Sequence, residues 1–228
     1  IIVNKLIIVG TGLFAEVAKS YFQEYTHYNI IGFACHDNYL NGRDQVYNLP
    51  LYSIESLHSR FPAQSVSLFV AIGYKNMNKN RESVYKNLKA RGYQFASFIF
   101  PKIKIWDSTQ IGENVFIFED NTIQPFTTIG DNTILWSGNH IGHHTRIGNH
   151  CFISSHVVIS GSCIIQDNVF MGVNSSTYDG INLAPESLIG AGSLISKDTV
   201  YQQVFINSST NVFPKNIVAF MNAEIDGD

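Results

Sequence analysis

Histidine is sparse in this 228-residue chain except in one stretch, where His140, His143, His144, His150 and His156 fall within seventeen residues. Imidazole titrates near neutral pH, so a positioned histidine can take a proton from an attacking amine or hydroxyl. Three imidazoles could instead hold zinc and leave a position for water. A second stretch with chemical potential is Gly10-Thr11-Gly12-Leu13-Phe14-Ala15, followed later by Asp37. Glycines at a strand-to-helix turn let the backbone approach a phosphate or sugar and aim helix N-terminal amides at it. A carboxylate such as Asp37 then accepts hydrogen bonds from a ribose or a base. Glycines required only for tight packing are the bland alternative.

The histidines lie inside a six-residue repeat. From Ile105 to Ile195 every sixth residue is Ile or Leu except Met171 and Thr177, and the fifth position of each hexad, Thr109 to Thr199, is mostly small or β-branched. An amphipathic helix places apolar residues three or four apart, and a half-buried strand alternates by two, so neither fits sixteen hexads. Short strands joined by corners and wound into a parallel β-helix do fit.

Three hexads make one coil, so residues eighteen apart stack about 4.8 Å from one another. Gly138 then lies under His156 and Asn174, while His143 lies under Gly161 and Asp179. His143 and His144 fall at the third and fourth hexad positions, exposed at a corner, with open surface beside His143 because Gly161 has no side chain. His150 is expected to be merely solvated. His156 serves either a structural hydrogen bond or a substrate. Gly or Asn near the hexad boundaries, as at Gly112, Gly130, Gly142, Gly148, Gly172 and Gly190, is expected to supply the backbone freedom of the corners.

Ahead of the repeat, strands at Leu6–Gly10, Tyr28–Ala34, Val66–Gly73 and Tyr93–Phe100 alternate with helices at Glu16–Gln23, Ile54–Arg60 and about Asn80–Arg91. Such alternation predicts a parallel sheet with right-handed crossovers, a small α/β Rossmann-like unit. The domains expected are a Rossmann-like unit over 1–102, an all-β parallel β-helix over 103–204 and a C-terminal tail over 205–228. A dinucleotide oxidoreductase is one reading of the glycine turn. The sheet is short and no hydride-transfer domain follows, so a nucleotide-linked sugar fits the room better.

The net charge of −3 and pI near 6.2 give no reason to expect a polyanionic partner, and no nucleic-acid partner is expected. Of three cysteines, Cys151 and Cys163 occupy small inward positions, which suits packing better than redox or metal chemistry. Ile1–Gly10 is too short for a signal-peptide core, and no apolar run reaches the roughly 20 residues of a bilayer span. A cytoplasmic protein without membrane association is expected.

From Lys5 to about Val204 the chain resembles the bacterial sugar acyltransferases that act on nucleotide-linked 4-amino-4,6-dideoxy sugars, as in bacillosamine and perosamine formation, with a related sialic acid O-acetyltransferase branch. The resemblance rests on the hexads, on His143-His144-Thr145-Arg146-Ile147-Gly148, and on Phe170-Met171-Gly172-Val173-Asn174 and Leu188-Ile189-Gly190-Ala191-Gly192 in the same spacing. It implies a left-handed β-helix, a homotrimer, acetyl-CoA as co-substrate in the cleft between neighbouring helices, no metal, and a role in lipopolysaccharide or O-antigen synthesis. His143 would be the catalytic base with His144 beside it. Phe152, Gly161, Gly190 and Ala191 would line the CoA path. Gly10, Gly12, Phe14 and Asp37, with Gly73 and Asn76 from the Ala71-Ile72-Gly73 loop, would bind the nucleotide sugar.

Three positions depart from the family pattern. His144 stands where an acidic residue usually follows the catalytic histidine, Phe152 replaces a histidine near the thioester, and Asn207-Ser208-Ser209-Thr210 replaces the usual Gly-x-Pro-Ala ending. Acetyl transfer to a sugar amine is the leading reading and O-acetylation of a sugar hydroxyl the nearest alternative. The departures also leave room for a non-catalytic scaffold or sugar-binding module. A β-helix carbonic anhydrase would need two histidines five residues apart, a spacing absent here.

Overall fold

The structure, a computed structural model, describes residues 4–208. It begins with strand β1 (Lys5–Val9), whose last four residues are fully buried, and turns through Gly10 to Gly12 into helix α1 (Leu13–Tyr25). Gly12 is the N-cap, so the helix starts three residues before the predicted Glu16. Strand β2 (Asn29–Cys35) and the short helix α2 (Asp37–Leu40) follow.

A hairpin of β3 (Gln45–Val46) and β4 (Leu49–Ser53) comes next and was not legible as strands. Tyr47 and Asn48 both take left-handed φ values of 50° and 61°, which makes a two-residue turn matching the twist of the paired strands. Helix α3 (Leu57–Arg60), strand β5 (Ser67–Val70), helix α4 (Lys79–Ala90) and strand β6 (Gln94–Phe95) complete the unit. Its sheet runs β3-β4-β2-β1-β5-β6, parallel except for the β3–β4 pair.

The strand expected over Tyr93–Phe100 is split. Gln94–Phe95 pairs with β5, whereas Phe98–Ile99 pairs with Phe116–Ile117 of the β-helix. The chain thus passes from one core to the other across Ala96–Ser97.

The remainder is a left-handed parallel β-helix with three faces. Strands such as Phe116–Ile117, Ile134–Leu135, Phe152–Ile153 and Phe170–Met171 form the junction face, packed toward the first domain. Thr122–Ile123, His140–Ile141 and Val158–Ile159 begin the second face, and Gln110–Ile111, Thr128–Ile129 and Arg146–Ile147 the third. Partners such as Thr122 and His140 lie eighteen residues apart, as the hexad phase requires. The phase changes only at the top, where Leu188 pairs with Val204, sixteen residues on.

The corners bear out the expectation of backbone freedom for Asn and correct it for the glycines named with it. Left-handed backbone falls at the fourth hexad position, for instance Asn132, His144, His150, His156, Asn168 and Asn174 with φ between 56° and 61°. The glycines at the second position serve a different need. A Cβ at Gly142 would lie 2.5 Å from Gly161 N, and one at Gly130 would lie 2.6 Å from the carbonyl carbon of Gly148. These glycines allow coils to stack closely, while the corner conformation is carried by Asn and His, which tolerate αL better than most residues.

Two sets of contacts dock the domains. Aromatic rings of α1, Phe98 and the junction face interlock, with Phe98 stacked on Phe116 at 4.7 Å and Phe118 on Trp136 at 4.4 Å. Beside them Arg81 of α4 is fully buried, and its guanidinium donates to the carbonyls of Ile72, Gly73, Asn132, His150 and Cys151 and to Asn78 Oδ1 at 2.8–3.3 Å. Burial lowers its pKa to about 9, so it stays charged at neutral pH.

The corner between the third and junction faces carries a polar column. Asn114 Nδ2 donates to Asn132 Oδ1, the Asn132 amide meets His150 Nδ1 at 2.8 Å, and Asn168 Nδ2 donates to Glu82 at 2.9 Å. His150 is only 5% exposed, which overturns its reading as a solvated corner residue. Burial pushes its pKa down to about 4, so at neutral pH its 3.9 Å approach to Glu82 is not an ion pair. Burial pushes Glu82 up, but hydrogen bonds from Lys86 and Asn168, the charge of His150 and a bond from Lys79 outweigh it and leave it at about 2.

The coil spacing predicts that Gly142→Ala loses about 1–3 kcal/mol through overpacking. Gly73→Ala, whose Cβ would meet nothing within 4 Å, should stay within about 0.5 kcal/mol. Urea unfolding of both variants checks this.

His150 and Glu82 both have pKa values depressed by folding, so their contributions hold at high pH and vanish as pH falls. Stability should decline from pH 6.5 toward about 4 as His150 charges in the unfolded chain, and again from 4.5 toward about 2 for Glu82. His150→Asn should flatten the first step in a series of melting temperatures against pH.

Candidate active site

His143 and His144 sit on the corner between the second and third faces, and both are exposed. The His143 backbone N–H donates to Gln124 Oε1 at 2.8 Å, and its ring lies against Gly161 one coil on. A Cβ at Gly161 would come within 2.8 Å of His143 Cε1 and 3.0 Å of Nε2, so only glycine leaves room for the ring. Asp179, the next residue in this column, accepts the Gly161 N–H at 3.0 Å. That amide is therefore engaged and is not a free donor for an oxyanion. The Nδ1 atoms of His143 and His144 are 3.1 Å apart, while His143 Nε2 has no hydrogen-bond partner among the described residues.

Gly190 and Ala191 lie on a different corner, between the junction and second faces, in the same set of turns as Gly138, His156 and Asn174. Gly190 N–H is used by Phe205 O at 2.7 Å, whereas the Ala191 N–H donates to nothing among the described residues. His156 is exposed there, its ring filling the space that the missing side chain of Gly138 leaves. One chain therefore does not bring Ala191 and His143 together.

Phe152 is placed elsewhere again. It is 5% exposed on the junction face, stacked on Phe170 at 5.8 Å and edge-on to Tyr74 at 5.0 Å. A ring so enclosed seals the domain junction and offers almost no surface to a CoA chain. Ser209 and Thr210 of the divergent ending, and the tail to Asp228, lie outside the described residues.

The first domain holds a cavity of about 700 Å³ at the carboxyl ends of β1 and β2, walled by Gly10, Thr11, His36, Asp37, Glu55, Asn80 and Ser83 among others. Gly10 has φ +132°, and a Cβ there would lie 2.6 Å from Ala71 O, so this turn requires glycine. Asp37 is exposed at the start of α2, its backbone N–H held by Glu55 Oε2 at 3.1 Å. Burial raises the Glu55 pKa, but hydrogen bonds from His36 at 2.7 Å, from Ser53 and from the Asp37 amide prevail and keep it below the usual carboxylate range.

The other nucleotide-site candidates do not form the cavity wall. Gly12 caps α1 beside it; its carbonyl accepts the Ala15 N–H at 2.9 Å, while the Leu13 and Phe14 amides have no acceptor among the described residues. The ring of Phe14 turns to the domain junction, 5.7 Å from Phe116 and 6.0 Å from Trp136, so its packing role displaces ligand contact by the side chain. Gly73 offers its carbonyl to Arg81 at 3.1 Å, and Asn76 is exposed and reaches the cavity residue Asn80 only through a 3.4 Å amide contact.

His36, Glu55, Asn80 and Ser83 were missed by sequence reasoning. Asn80 and Ser83, three apart at the start of α4, share a helix face and so carried a legible signal; Glu55 had none, because it follows a strand that was not foreseen. No group of three His, Cys, Asp or Glu side chains among the described residues is arranged to hold a metal ion, and none of their helices is long and apolar enough to cross a membrane.

Residues 5–88 match the family described as the PglD N-terminal domain. Residues 108–143 and 126–161 match the bacterial transferase hexapeptide of six repeats, and residues 163–197 the hexapeptide repeat of succinyl-transferase. The fold is similar to perosamine N-acetyltransferase from Caulobacter crescentus, solved with CoA and GDP-perosamine, at 23% identity and TM-score 0.75 over 86% of this chain and 90% of that one. It is likewise similar to the acetyltransferase domain of PglB from Neisseria gonorrhoeae, at 19% identity and TM-score 0.77 over 88% and 95%. The chain thus joins a PglD-type N-terminal domain to bacterial transferase hexapeptide repeats, in the fold that it shares with these two structures.

Proposed function

We propose that this protein transfers the acetyl group of acetyl-CoA to the amino group of a nucleotide-linked aminodideoxy sugar, in the cytoplasm, for bacterial surface glycan synthesis. The observation that carries this reading is an exposed His143 with an unengaged Nε2 over Gly161, in a chain whose first domain holds a nucleotide-sized cavity. His143 Nε2 takes the proton of the sugar amine as its nitrogen attacks the thioester carbonyl. A C–N bond forms, the C–S bond breaks, and the departing CoA sulfur receives that proton, giving amide and free thiol.

The cavity holds the nucleotide by the backbone turn at Gly10 and Gly12, with Asp37 accepting from ribose or base. A homotrimer completes the site in this reading. Val158 and Leu194 on the second face and Ile164 on the third expose apolar side chains between 43% and 56%, which suits burial against other copies. A neighbouring copy would then offer its Gly190-Ala191 corner, with the Ala191 amide that no described residue engages, to the thioester beside His143.

Incubation with acetyl-CoA and a panel of UDP-, GDP- and dTDP-linked 4-amino sugars and their 4-hydroxy analogues, read by mass spectrometry, tests the function. Acetylation confined to an amino sugar is expected; acetylation of a hydroxy analogue assigns O-transfer, and no product from any pair returns the scaffold reading. His143→Ala should lower turnover by about 10² to 10⁴ without changing oligomer mass in light scattering. Asp37→Asn should raise KM for the nucleotide sugar by roughly 10-fold or more with kcat little altered, as loss of a charged hydrogen bond implies.

A further inference from the structure

Two ring nitrogens 3.1 Å apart must share a proton, so either His143 Nδ1 donates to His144 Nδ1 or the reverse. The direction decides the chemistry. If His144 donates, the neutral His143 carries its own proton on Nε2 and cannot act as a base there. If His143 donates, its Nε2 is left with a lone pair facing the open corner.

The surroundings of His144 fix its ring by contacts that leave Nδ1 to His143. His144 occupies the left-handed fourth position with φ 58°, and its backbone N–H donates to Pro125 O at 3.2 Å. Its ring stacks on Phe126, exactly one coil below, with centroids 4.7 Å apart and planes 28° from parallel. Phe126 is itself left-handed, with its N–H held by Ser108 Oγ at 3.0 Å, and remains 57% exposed. The two histidine rings then meet edge to face at 84°.

We propose that Phe126 and His144 form a positioning pair for His143, in which neutral His144 accepts the His143 Nδ1 proton and so holds the unprotonated His143 Nε2 toward the acceptor. This rests on His143 being the base of the proposed reaction. When His143 takes the amine proton it holds protons on both nitrogens, and the His144 lone pair stabilises that cation until the proton passes to the CoA sulfur. His144 keeps its own proton on Nε2 throughout, so the count of protons closes without any further donor.

Long-range ¹H–¹⁵N spectra of the full-length protein labelled with ¹⁵N-histidine read the tautomer without any ligand. His143 should be the Nδ1–H form near pH 8 in the wild type, lose that preference in His144→Phe, and regain it in His144→Glu, whose carboxylate is also an acceptor. Phe126→Ala should weaken it. An Nε2–H form of His143 in the wild type, or an Nδ1–H form that persists in His144→Phe, overturns the proposal.

In acetyl transfer to GDP-perosamine or another panel sugar that reacts, His144→Phe should lower kcat by about 10- to 100-fold at unchanged KM. His144→Glu should recover most of the rate, with the acidic limb of the kcat profile moved to higher pH because a carboxylate favours the imidazolium. Equal rates in His144→Phe and the wild type also overturn the pair. If His143→Ala keeps full activity, the base assignment fails instead, and the tautomer spectra report on the pair separately.

Discussion

The buried guanidinium of Arg81 is the interaction on which the arrangement of this molecule depends. A cation removed from water is costly unless its donors are met, and here six oxygens meet them without a carboxylate among the partners. One of them, Asn78 Oδ1, caps the helix that carries Arg81, and the other five belong to three stretches that are distant in sequence: the Ile72–Gly73 loop, the Asn132 turn and the His150–Cys151 turn. One side chain therefore fixes the loop beside the cavity of the first domain to two successive coils of the β-helix. Without it the aromatic contacts would still bury area, but apolar area has no direction and would not set the register between domains.

Coil spacing is the second constraint, and it turns each corner into a column of equivalent positions. In one column the left-handed positions carry Asn114, Asn132, His150 and Asn168, whose side chains hydrogen-bond to one another or to the first domain. In another they carry Phe126 and His144, which face solvent and stack. The same backbone need is thus met in both columns by residues with different second roles. Docking occupies one corner and candidate chemistry another, so changing one need not disturb the other.

This explains what could be read from the chain. The hexad phase alone placed His143 against Gly161 and Gly161 beneath Asp179, because eighteen-residue stacking is a property of the repeat. It could not show that His150 is buried, since hexad position says how a residue faces its own coil and nothing about a second domain laid over that corner. Phe152 and Phe14 escaped for the same reason, as both rings are spent at the domain junction. The β3–β4 hairpin was hidden because each strand is short and Pro50 interrupts the apolar pattern. The positions of Gly10 and Asp37 were legible because one follows the first strand and the other lies just beyond the second, so that both line the cavity at those strand ends.

The exchange of an acidic residue for His144 follows the same logic of position against chemistry. At a left-handed corner the backbone settles where the side chain starts, so an imidazole and a carboxylate can both bring an acceptor to His143 Nδ1. They differ in charge. A carboxylate favours the imidazolium of its partner and so raises the base strength of that ring, whereas a neutral imidazole gives direction with less stabilisation of the cation. A histidine also has a flat face, which a carboxylate lacks, and here that face lies on Phe126. Stacking of this kind contributes about 0.5–1.5 kcal/mol beyond burial and restricts the ring to one plane. In the proposed reaction, what the corner loses in electrostatic support it recovers in part as orientation, and orientation is the component that a base on an exposed corner most lacks.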